Sequence, residues 1–167
     1  KLRCIHRRIA VADPISLRLA QDTDDALDAY ATANGLSRPE AVSTIVSEFL
    51  AGQPTTAEST RLRLEAEKML TAKVLARAAE LRGTAFEPEV TRQLFQWIAD
   101  HHRAQYDRAI GPDATFRNRL NPLLAKRFAA ALDATYIEVK NGNPVRKDLP
   151  PASGELIKSY TPLRPKS

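Results

Sequence analysis

The strongest constraint in this sequence is the run Asn34-Gly35-Leu36-Ser37-Arg38-Pro39-Glu40. Asn-Gly is a helix stop, because glycine adopts the left-handed conformation that closes a last turn. Ser37 and Glu40 form the capping-box pattern S-x-x-E, with Pro39 inside the first turn, so a second helix starts at once. Two helices must therefore flank a short turn. The first is expected to be capped by Asp22 or Thr23, with Asp24 and Asp25 at its positive end and Leu27, Tyr30 and Ala31 on its apolar face. The second carries Val42, Ile45, Val46 and Phe49 at i, i+3, i+4 and i+7, and stops at Ala51-Gly52, ahead of Pro54. Upstream, Pro14-Ile15-Ser16-Leu17-Arg18-Leu19 alternates apolar and polar residues, the period of a short strand.

Strand, helix and helix occupy 38 residues, from Ile15 to Gly52, too few to bury their own apolar faces. Ile15, Leu17, Leu19, Val42, Ile45, Val46 and Phe49 all need cover. A second copy supplies it most simply, with two strands paired antiparallel and four helices interlocked. This order resembles the ribbon-helix-helix family of DNA-binding proteins, on the residues Ile15 to Leu19, the Asn34-Gly35-Leu36-Ser37 turn and the Val42/Ile45/Val46/Phe49 core. The resemblance spans residues 14–52 only.

What the resemblance implies is a two-stranded ribbon in the major groove, its outer face reading base edges. Ser16 and Arg18 occupy that face; Arg bridges guanine O6 and N7, and Ser donates or accepts. Pro14 takes the remaining reading position without offering a polar group. The family also sets the N-terminus of its second helix against a phosphate, the role that falls to Ser37 and Arg38. Pro39 removes one N–H donor there and shifts weight to Arg38. Arg3, Arg7 and Arg8, in a basic arm over residues 1–13, are candidates for further phosphate or minor-groove contact.

Residues 53–56 read as a linker. From Ala57 to Arg82 the chain is rich in Ala, Leu, Glu, Lys and Arg without Gly or Pro, so a long helix is expected, ended by Gly83. Glu87-Pro88-Glu89 opens another, running through Leu94, Trp97, Ile98 and Tyr106 to Gly111-Pro112. A shorter helix is expected from Pro122 to Ala134. Tyr136 to Val139 reads as a strand that turns at Asn141-Gly142 and pairs back through Val145 to Lys147. The expected fold class is mainly α: a dimeric ribbon-helix-helix module at 14–52, a helical domain with a small β-hairpin at 57–149, and an extended tail at 150–167.

Charge sharpens the functional expectation. The chain's net charge is +5, but residues 1–20 carry +4, residues 21–60 carry −6, and the remainder is basic again. Such asymmetry points to a polyanion as partner. No apolar run approaches a membrane span. A single cysteine, Cys4, cannot close an internal disulfide, which points to a cytoplasmic setting. His6, His101 and His102 lack metal-ligand spacing, so no metal or cofactor is expected. Trp97, Tyr106, Phe116 and Phe128 are assigned to the core of the second half. The expectation is a homodimeric, sequence-specific binder of double-stranded DNA, without catalytic residues, acting as a transcriptional repressor or a plasmid transfer or partition accessory protein. Two alternatives stand beside it. One is an antitoxin-type repressor that holds a protein partner through residues 57–149. The other is a Mg²⁺-dependent nuclease, because Pro112-Asp113 and Glu138-Val139-Lys140 resemble the PD…ExK nuclease pattern.

Overall fold

The computed structural model describes residues 16–112, 114–138, 143–150 and 154–166. Among the described residues, six helices and two small antiparallel ladders make up the fold. Helix α1 runs Gln21–Ala33 and α2 runs Arg38–Ala51. The α1 start lies ahead of the expected Asp22 or Thr23 cap, at Ala20, with no side-chain cap bond. Asp22 instead sits in the first turn and accepts the Thr23 N–H at 2.7 Å. Between the helices, Gly35 takes φ +63° and the Leu36 N–H reaches back to the Ala31 carbonyl at 2.8 Å. A Cβ at Gly35 would lie 2.7 Å from Ala130 Cβ and 3.3 Å from the Lys126 carbonyl oxygen, so the turn sits directly on a later helix.

Helix α3, Glu58–Leu81, is the spine. Helices α4, Val90–His101, and α5, Arg103–Ile110, replace the single helix expected across Tyr106. The break falls at His102, whose ring meets Trp97 edge-on with centroids 4.6 Å apart. The redirected α5 buries Tyr106 and Ala109 in the main core, and its chief packing partner is α3. Helix α6 runs Ala114–Ala131, so it starts well before the expected Pro122, which lies inside it. Proline costs a backbone hydrogen bond there. The added turns are anchored from outside: Arg63 of α3 lies over the Phe116 ring at 4.2 Å, and Arg119 pairs with the buried Glu67. They also bring Leu120 into line with Leu124 and Phe128 in the core.

Asn141-Gly142, the turn of the expected hairpin, lies outside the described residues; on its flanks Glu138 and Pro144 form an antiparallel bridge and the Val145 N–H bonds the Ile137 carbonyl at 2.8 Å. Pro144 has no N–H to extend the ladder. The chain also pairs with its tail. Strand β1, Ala134–Tyr136, runs antiparallel to β4, Leu163–Pro165, with Tyr136 opposite Leu163. Strand β2, Lys147–Asp148, pairs with β3, Ser159–Tyr160. The tail is thus extended but packed. Ile157, Tyr160 and Leu163 are buried in the main core, the Leu163 N–H bonds the Pro88 carbonyl at 3.0 Å, and the Tyr160 hydroxyl donates to Glu89 at 2.8 Å.

Two apolar clusters result. The larger joins α3, α4, α5, α6 and the tail; the smaller joins Leu27, Ala31, Leu36 and Ala41 to Leu123 of α6. Among the described residues no helix is long and apolar enough to cross a membrane.

Candidate nucleic-acid interface

Backbone geometry sets the start of α2. Glu40 accepts the Ser37 N–H at 2.9 Å and the Ser37 hydroxyl at 2.7 Å, closing the capping box. Its other carboxylate oxygen accepts from Lys126 Nζ at 2.6 Å, across 86 residues of sequence. Burial pushes the Glu40 carboxyl up, but the Lys126 and Ser37 hydrogen bonds outweigh it and hold the pKa down at about 2. A carboxylate therefore already occupies part of the anion-binding end of this helix.

Arg38 faces back toward α1. It pairs with Asp24, Nη1 to Oδ2 at 3.1 Å plus a shorter Nη2 contact, and its Nε lies 3.3 Å from Asp28. The Asp24 hydrogen bond leads in raising its pKa. These pairs are solvent-exposed, so they are weakly held and a phosphate can exchange for them.

Ser16, Leu17 and Arg18 are exposed, and Leu19 is half-buried against the smaller cluster. Ser16 to Ala20 has no strand partner among the described residues. Arg3, Arg7, Arg8 and Ile15 lie outside the described residues.

The residues expected in a dimer core divide in two. Val42 is partly buried against the smaller cluster. Leu17, Ile45, Val46 and Phe49 are open, with Phe49 65% exposed. Leu50 joins them at 40%, a residue the sequence reading missed although it follows Val46 at helical i+4 spacing. Leu62 and Met69 of α3 are also exposed. Sequence reasoning missed a further point: α1 and α2 already have cover on one side. Leu123 packs there, and the buried Arg127 donates Nη2 to the Tyr30 hydroxyl at 3.0 Å. One face of the two-helix unit is thus seated on α6, and another, apolar, faces outward.

Glu138 is exposed, while Asp113 and Lys140 lie outside the described residues. His101 and His102 both engage Trp97. Among the described residues no group of three or more His, Cys, Asp or Glu could hold a metal ion. No known protein family, curated protein or solved structure matches the chain.

Proposed function

We propose that this chain is a homodimeric, sequence-specific binder of double-stranded DNA that works through residues 14–52. The observation that carries the reading is the outward apolar face of α2. Ile45, Val46, Phe49 and Leu50 repeat at helical spacing and stand open to solvent, as does Leu17. Water contact with that much apolar side chain is unfavourable, and a second copy of the same face covers it symmetrically. Pairing across the two-fold axis also gives Ser16 to Leu19 a strand partner, which they lack among the described residues of one chain. Arg18 then points from the ribbon toward base edges, with Ser16 beside it, and Ser37 and Arg38 lie at a helix start where phosphate is favoured. Occupancy of an operator makes the protein a transcriptional repressor or a plasmid transfer or partition accessory.

Selection of bound DNA from a random pool, followed by a salt titration on the winning site, tests this. Arg18→Ala is expected to relax base preference and cost about 1–3 kcal/mol; Arg38→Ala is expected to weaken all sequences alike and flatten the salt slope. Selection that yields no enriched site, or both variants binding as the parent does, would sink the proposal.

A further inference from the structure

We propose that the cleft between α6 and the strand-bearing tail binds a small phosphorylated organic ligand, and that occupancy loosens the start of α2. The cleft is open to solvent and holds about 1000 Å³, at the upper end of small-molecule sites. Among the described residues four cations line it: Arg117 and Lys126 from α6, Arg146 from the chain before β2, and Lys158 from the chain before β3. Glu155, the single carboxylate in its wall among the described residues, is gripped by Arg92 through Nε at 3.1 Å and Nη2 at 2.8 Å. Arg146 reaches Asp148 at 3.5 Å, with both side chains largely exposed, so that pair gives way readily. Guanidinium and ammonium side chains lining one cavity suit a phosphate dianion. Phe95, Pro122, Tyr136 and Leu149 in the same wall suit an apolar or planar organic portion.

The cleft reaches α2 through one side chain. Lys126 lines it and is also the partner of Glu40 at 2.6 Å. Glu40 in turn holds the N–H and hydroxyl of Ser37. A phosphate that draws Lys126 away leaves the capping box with one tie fewer. The Gly35 turn, seated on Ala130 and the Lys126 carbonyl, transmits any shift of this part of α6 to the same place. Linkage then requires that whatever loads the start of α2 changes ligand affinity in return. Ligand binding stands apart from DNA; control of DNA binding by the ligand rests on the function proposed above.

Calorimetry on the full chain without DNA, using adenosine 5′-monophosphate, adenosine and inorganic phosphate, decides the first part. The nucleotide is expected to bind, with Arg117→Ala and Lys158→Ala each weakening it about tenfold and Lys73→Ala, an exposed lysine outside the cleft, leaving it unchanged. Absent nucleotide binding, equal affinity for inorganic phosphate alone, or indifference to Arg117 and Lys158 overturns the site. Amide exchange decides the second part. Residues 37–41 are expected to exchange faster when the nucleotide is bound, and binding with unchanged exchange there overturns the coupling. Neither measurement contains DNA, so a failed operator selection is a separate result.

Discussion

The helical body and the two-helix unit use the same apolar periodicity to opposite ends. In the body, Tyr106, Phe128, Leu70 and Ile98 are almost fully enclosed, because α3, α4, α5, α6 and the tail surround a common centre. In the unit, α2 meets α1, α3 and α6 on its inner side, and Phe49 is left 65% exposed. A stripe at i, i+3, i+4 and i+7 therefore specifies a face that needs cover. It does not specify whether the cover comes from the same chain.

The comparison breaks most visibly at Phe128 and Phe49. Phe128→Ala is expected to cost about 3–5 kcal/mol in chemical denaturation, since it opens a cavity in a closed core. Phe49→Ala is expected to change the stability of the single chain by less than about 0.5 kcal/mol, because its ring already meets water. In the proposed dimer the same substitution raises the dissociation constant in sedimentation equilibrium by about tenfold or more. Equal losses of single-chain stability at the two positions would mean that α2 packs differently from the face described here.

Gly35 tests how firmly the two regions are joined. Gly35→Ala must hold a positive φ and place a methyl 2.7 Å from Ala130 Cβ, so a loss of about 2 kcal/mol is expected in thermal unfolding. Alanine tolerated without loss would mean that the turn is free to lift from α6.

Acid sharpens the same junction by a smaller amount. The Glu40 carboxyl is held near 2 in the fold against a usual 4.5, so its stabilisation is present above pH 4.5 and is lost as pH falls toward 2. Both partners are partly solvated, so the contribution is about 1 kcal/mol rather than what the full shift would give. Glu40→Gln should flatten that part of the stability profile, and an unchanged profile would place the acid sensitivity elsewhere. Ser37→Ala probes the same junction more gently, at about 0.5–1 kcal/mol in denaturant titration.

Local chemistry was legible where it decides the outcome locally. The α1–α2 turn, the Arg38 start of α2 and the long α3 follow from Gly35, the Ser37–Glu40 box and a run without Gly or Pro. Distant packing hid the rest. Pro122 reads as a helix start, yet α6 extends through it because Phe116 and Arg119 find anchors on α3. The break at His102 has no glycine or proline to announce it. Nothing near residue 40 signals Lys126, and nothing in a Pro- and Ser-rich tail signals that Ile157, Tyr160 and Leu163 close a core. In the candidate interface, Ile45, Val46 and Phe49 could be named from spacing, whereas the carboxylates around Arg38 come from a neighbouring helix.

The pairing of β1 with β4 has a consequence for biosynthesis. Val90, Leu94 and Phe128 share a core with Leu163, which is made long after them. During translation the helices from α3 to α6 emerge before their last wall exists, so they wait with apolar surface exposed until residues 157–165 have left the ribosome. The α1–α2 unit also gains its seat on α6 only after a long delay. A ribosome paused before residues 157–165 emerge would therefore present chaperones with helices that still lack one wall of their core.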